Sequence, residues 1–217
     1  MQNSDYVDTF LRPREEHYQQ FFGPITQDIM HSTDSQEVHI DIYQFEPTPE
    51  RPFWTLITSG MSNQRQLEPK DCDEHILPRT EILMYVSKPQ GWMFSVLKRL
   101  AEMPFKQKTF LYYGHTVPNG KPMTAQPSLL TSFLFVPPYF EQPEINQFQL
   151  DDDEVNFLWM IPITEAEREF AVKQSSQKLY EKFEDADTPI VVNEKRKSLV
   201  EDQSLKVLFQ RFMKSPN

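Results

Sequence analysis

Glycine is scarce in this 217-residue chain: there are five, and each stands alone. Loops that cradle phosphates need clustered glycines so that backbone amides can approach the ligand, and neither GxGxxG nor GxxxxGK[ST] occurs. Nucleotide binding through such loops is therefore not expected. Cysteine is scarcer still. With Cys72 alone, an internal disulfide framework is excluded and a cysteine-based zinc site is disfavoured, which fits a reducing compartment. No run approaches the ~18 apolar residues that span a bilayer. The opening MQNSDYVDTF lacks the basic and then apolar order of an export signal. A cytoplasmic protein without a membrane span is expected. Basic charge is also in deficit, with 22 Lys and Arg against 32 Asp and Glu, a net charge of −10 and an isoelectric point near 5.0. Such a chain does not offer the basic face that a phosphate backbone requires, and it suits a basic protein partner. The deficit is uneven, because residues 187–217 carry +2 and the remainder −12.

Proline, by contrast, is frequent at 18 residues and punctuates a series of apolar runs. PREEHYQQFFGP reads as a short helix, with Pro13 in its first turn and Gly23-Pro24 as its stop, preceded by a second helical stretch around 5–11. QEVHIDIYQF alternates Val38, Ile40 and Ile42 with polar residues, the period of a half-buried strand. FWTLITSG is apolar on both faces, which predicts a central strand. RTEILMYVS, KTFLYYG, SLLTSFLFV and NFLWMIPI are further strand candidates. Between them, KPQGWMFSVLKRLAEMP carries the stripe Met93, Val96, Leu97 and Leu100 of a helix that Pro104 should end. Thr164 and Glu167 form a capping box that should open a helix running to Phe183, with Val172, Leu179 and Phe183 in the core. PIVVNEKRKSLV predicts a small hairpin. Leu205, Leu208, Phe209 and Phe212 predict a C-terminal amphipathic helix capped by Ser204. The elements lack strict βαβ alternation, so the fold class is α+β, one domain with a central mixed or largely antiparallel sheet flanked by helices. The expected boundaries are an N-terminal helical segment at 1–34, the domain at 35–200 and the C-terminal helix at 201–217.

Several clusters carry chemistry in principle. Gly60-Met61-Ser62 resembles a nucleophile turn, but Gln64 stands where Gly-x-Ser-x-Gly needs its second glycine. His39 and Asp41 share a strand face. DCDEH at 71–75 gathers ligand types without the paired spacing of structural zinc. LDDDEV at 150–155 lacks the spaced ligands and the glycine of a calcium loop; Asp151, Asp152 and Asp153 read instead as an acidic patch for a cationic partner. Tyr139 and Phe140, set among prolines, have the size and stiffness of interface anchors. No catalytic residue, cofactor or metal is expected from these patterns.

The ordered segments PTPERPFWTLITSGMS, RTEILMYVS, GWMFSVLKRLAEMPF, YYGHTV and FLWMIPITEAEREFAVKQSSQKLYEKF, followed by PIVVNEKRKSL, resemble the suppressor of fused domain family over about residues 35–200. The resemblance implies a non-enzymatic α/β binding fold. It also implies that Trp54, Gly60, Met61, Ser62, Arg79 and Glu81 are fold-defining. Animal members grip a peptide of a transcription factor with the help of an acidic residue before a histidine. Here Gly114 precedes His115, a departure that removes that acid. The length is closer to that of stand-alone bacterial members, which are thought to include immunity proteins against toxins.

Three functions follow as alternatives. The first is capture of a protein partner, a basic toxin or an extended peptide, through His115, Tyr112, Tyr113, Tyr139, Phe140 and Asp151, Asp152 and Asp153. The second is a metal-assisted hydrolase using His39, Asp41, His75 and His115. The third is a self-associating scaffold built on the C-terminal helix.

Overall fold

The computed structural model describes residues 5–25, 29–31, 38–67, 78–124, 128–139 and 141–200. Among these residues seven strands form one mixed sheet in the order β1-β2-β3-β7-β5-β4, with β6 paired to β7. They are β1 Asp41–Phe45, β2 Trp54–Ser59, β3 Arg79–Val86, β4 Thr116–Pro118, β5 Leu130–Val136, β6 Gln147–Leu150 and β7 Asp153–Thr164. The β1-β2-β3 pairings are antiparallel, and β3 runs parallel to β7. The helices are α1 Arg12–Phe22, α2 Gly91–Lys106, α3 Pro143–Asn146, α4 Glu165–Lys173 and α5 Ser176–Asp185, with a π-helical turn at Val7–Leu11 before α1. The chain divides into two compact units, one drawn from residues 1–115, 135–161 and 190–192, the other from 116–134, 162–189 and 193–217.

In the first unit the expectation of a central β2 holds, because it lies between β1 and β3. Every residue of β3 is buried, as a strand covered on both faces requires. Tyr18 and Phe22 of α1 reach the sheet and pack in an aromatic cluster, with Tyr18 set edge-on to Tyr43, Phe45 and Phe148. Consecutive β1 residues Ile42 and Tyr43 are both buried, so β1 is covered on both sides, and α2 packs along β1, β2 and β3.

The turn after β2 is organised by one carboxylate. Glu81 of β3 is fully buried and accepts from Thr58 Oγ1 at 2.6 Å, Ser62 Oγ at 2.6 Å, and the amides of Gly60 at 2.9 Å and Ser62 at 3.0 Å. Arg14 of α1, 1 % exposed, faces it at 3.7 Å and donates to Ser59 Oγ at 2.8 Å, Ser62 Oγ at 3.2 Å and Asn63 Oδ1 at 2.8 Å. A buried charge survives only with such partners. Gly60 has φ 123°, and a Cβ there would stand 2.1 Å from the His39 carbonyl oxygen. Both the left-handed backbone and the close approach demand glycine.

In the second unit the capping box is present as expected: Glu167 donates its amide to Thr164 Oγ1, and its side chain accepts from the Thr164 amide at 2.8 Å. The same carboxylate, fully buried, is held by Arg196 at 2.6 and 2.7 Å and by the Leu199 amide at 2.9 Å. Arg196 also donates to the Pro162 carbonyl at 2.8 Å.

Several expectations are corrected. The helix opened by Thr164 breaks at Gln174, because Ser175 caps a new helix by accepting from the Lys178 amide, and Val172 is 69 % exposed while Ala171 is buried. Residues 189–200 form no hairpin; Arg196 donates to Glu167, and ionic contacts take the place of a strand ladder. KTFLYYG is not a strand, since the Leu111 amide is taken by Gln66 Oε1 and Gly114 turns the chain at φ 80°. Pro104 lies within α2, which ends two residues later: only the final turn gives up a bond. β6 and α3 were not foreseen, being four residues each. The C-terminal helix expected at 201–217 lies outside the described residues.

Replacing Glu81 by Gln turns an acceptor into a donor facing amides and hydroxyls, so E81Q should lose about 3–5 kcal/mol of unfolding free energy in urea titration. A smaller substitution elsewhere in the turn, Asn63→Ala, should cost clearly less. Equal losses would mean that the carboxylate is not the organising group.

Candidate functional site

Of the fold-defining residues named from sequence, Ser62 is buried with its hydroxyl donating to Glu81, which leaves it no role as a nucleophile. Trp54 opens β2 opposite Val86. Met61 is fully buried and its sulfur receives the Thr80 hydroxyl at 3.7 Å. Arg79, 6 % exposed, donates to the Ser62 carbonyl at 2.8 Å and to Asp153 Oδ2 at 2.7 Å.

Among the described residues the hydrolase set is not brought together. His39 Nε2 lies 2.9 Å from Asp41 Oδ1, and the third member of that cluster is His31, not His115. The His115 ring instead contacts Phe110 at 5.0 Å and Tyr112 at 6.3 Å between centroids. His75 and the rest of DCDEH lie outside the described residues, as does Phe140.

The partner-binding candidates fall into two groups. Tyr112, Tyr113 and His115 sit on one short segment, each partly buried, with the two tyrosine rings 5.4 Å apart. Tyr113 donates to the Phe157 carbonyl at 3.3 Å. Its hydroxyl titrates above the ordinary range, first through burial and then through Tyr112, Tyr139 and Glu154. Tyr139 is 55 % exposed. The Gly114 amide donates to the Phe135 carbonyl and the Phe135 amide to the His115 carbonyl, so the segment is pinned to the strand register.

The second group is the β6–β7 turn. Asp151 and Asp152 are exposed, but Asp153 is drawn inward, where Arg65 holds it at 2.6 and 2.7 Å and Arg79 at 2.7 Å. The acidic run therefore splits into exposed Asp152, exposed Asp151 with one contact to Arg79 at 3.7 Å, and buried Asp153. Asp153 sits below the ordinary carboxylate range chiefly because Arg65 donates to it; desolvation opposes the shift and Arg79 adds to it.

A cleft of about 630 Å³ in the first unit has no counterpart in the sequence reading. Phe22, Phe53 and Ile145 line it along with an ion pair in which Arg51 Nη2 donates to both Glu141 oxygens, at 2.9 and 2.7 Å. Tyr85 also donates to Glu141, at 2.9 Å. Arg51 and Glu141 come from two proline-bounded loops 90 residues apart. The first loop carries Glu46, Glu50 and Arg51 and the second Glu141, and no local pattern links Arg51 to Glu141.

The profile of the suppressor of fused protein family matches residues 36–197. Among solved structures, a suppressor of fused homologue from Neisseria gonorrhoeae FA 1090 superposes with a TM-score of 0.68 at 25 % identity, covering 92 % of this chain and 99 % of its own. A structure of the Sufu–Fu complex gives 0.65 at 13 % identity, covering 96 % and 98 %. Drosophila Suppressor of Fused gives 0.64 at 14 %, covering 94 % of this chain and 54 % of the Drosophila one. No curated protein matches the sequence.

The split of the acidic run is testable. With its folded value lowered, Asp153 contributes stability in full above the unfolded carboxylate value near ~4, and that contribution is lost as pH falls through the lowered folded value. Asp153→Asn should lower the urea midpoint at pH 7 and flatten the acid limb of the stability profile. Asp152→Asn should leave both unchanged, and Asp151→Asn, which loses only a half-exposed contact with Arg79, should change them far less than Asp153→Asn; equal effects from all three would show the turn to be uniformly solvated.

Proposed function

The chain belongs to the suppressor of fused family, and on that premise we propose that it is a cytoplasmic protein-binding domain that acts by contact, sequestering a protein partner without chemical turnover. The supporting observation is the gathering of the Tyr112, Tyr113 and His115 rings on a segment pinned to the strand register, with Tyr139 55 % exposed to a partner. Aromatic side chains bury large area at little conformational cost, and such residues supply most hot-spot energy in interfaces. A rigid backbone beneath them lowers the ordering cost of binding.

Asp151 and Asp152, together with the net charge of −10, favour a basic partner and speed its encounter. A related fold has been crystallised in the Sufu–Fu complex, which supports a partner of protein type. A toxin with a basic surface, inhibited by occlusion, meets these requirements; so does an extended peptide that lays its main chain along the rim of the tyrosine segment. No helix among the described residues is long and apolar enough to cross a membrane.

The test is affinity capture from extract of the source cells, using the full chain and a Tyr112→Ala/Tyr139→Ala variant side by side. A stoichiometric protein partner should be retained by the parent and bind the variant at least about 10-fold more weakly, the loss of a hot spot. Asp151→Lys/Asp152→Lys should slow association and reduce its salt dependence while changing dissociation little. A partner indifferent to the tyrosines, or turnover of a substrate by the folded chain, would overturn the proposal.

A further inference from the structure

Three side chains at the β1 edge converge on one point. His31 Nδ1 lies 3.3 Å from Asp41 Oδ1, His39 Nε2 lies 2.9 Å from the same oxygen, and all three ligand atoms fall within 4.8 Å of one another. Around a tetrahedral zinc with ligand bonds of about 2.0–2.1 Å, neighbouring donor atoms stand ~3.3 Å apart. The His31–Asp41 separation matches that edge, the His39–Asp41 separation is shorter by about 0.4 Å, and the two imidazole nitrogens lie within 4.8 Å of each other, so small rotations of the exposed rings bring the three donors to it.

The backbones carrying these groups are held together by hydrogen bonding. Met30 and Ile42 exchange both amide–carbonyl bonds, at 3.2 and 3.1 Å, which puts His31 across from Asp41 in an antiparallel bridge. Asp41 is held in register opposite Ser59 of β2. His39 is two residues before Asp41 and on the same face, and its carbonyl is the group against which Gly60 packs. Only the imidazole rings remain to adjust, and they are 66 % and 54 % exposed, while Asp41 is 15 % exposed. A buried-side carboxylate flanked by two exposed imidazoles is a donor set for a borderline-soft divalent cation and not for calcium or magnesium, which take oxygen.

We propose that His31, His39 and Asp41 form a binding site for Zn²⁺ or a cation of its class, with three protein ligands and a coordination position open to solvent. The site goes beyond the protein-binding role and does not depend on it. Sequence inspection missed it because His31 is ten residues from Asp41 and joins it only through the bridge at Met30. The sequence groups His39 and Asp41 with His75 and His115 instead.

The test uses tag-free full-length protein titrated with Zn²⁺ against a chromophoric chelator, and with Co²⁺ to read the ligand-field bands. One equivalent should bind, with intense Co²⁺ bands of a four- or five-coordinate centre. His31→Ala and His39→Ala should each weaken binding by more than the ~10-fold that accompanies loss of an outer-shell partner. The His31 side chain is two-thirds exposed, so its removal leaves folding intact and the comparison with the parent is direct; unchanged melting confirms this. Binding that persists in the His31→Ala/His39→Ala double variant places the metal elsewhere, at 71–75 for example, and overturns the proposal. Absence of binding to the parent at micromolar Zn²⁺ does the same.

Discussion

The Glu81 carboxylate is the constraint on which the first unit depends. It draws together the end of β2, the turn at Gly60–Ser62, strand β3 and, through Arg14, helix α1. Four donors and one guanidinium satisfy a charge that would otherwise be prohibitive to bury. The turn it shapes also brings the Ser62 carbonyl to Arg79, and Arg79 in turn takes Asp153. A single buried acid thus connects the N-terminal helix to the β6–β7 turn by continuous hydrogen bonding.

Glu167 does the comparable task in the second unit. There the acid begins as an ordinary capping-box residue, a role readable from Thr164 and Glu167 alone. Its second role, as the anchor for Arg196 and the Leu199 amide, spans some thirty residues and leaves no local trace. Each unit is therefore organised by one fully buried glutamate with an arginine partner. These anchors leave the polar surface free to vary, and it is there that the tyrosine segment, the two exposed aspartates and the β1-edge histidines lie.

The legible part of the fold follows from this division. β2, β3, β5, β7, α1 and α2 are long apolar or periodic runs whose burial sets their conformation, and each forms where its pattern indicates. The misread segments are those whose conformation is set by a distant polar group: Gln66 takes the Leu111 amide, Arg196 replaces a hairpin, and Ser175 divides a helix. The candidate site divides the same way. Tyr112, Tyr113 and His115 could be named together because they are neighbours in sequence. Asp153 looked like its neighbours in an acidic run, and only Arg65 and Arg79 distinguish it. Arg51 with Glu141, and His31 with Asp41, required the tertiary structure.

Amide hydrogen exchange at Gly60 and Ser62 tests the organising role of Glu81 most directly, since both amides donate to its carboxylate from a segment that is otherwise turn. If the carboxylate holds the turn, both amides exchange only through opening that approaches global unfolding, with protection energies within about 1 kcal/mol of the total stability. Exchange at the rate of a solvent-exposed loop, in protein whose β3 amides remain protected, would contradict it.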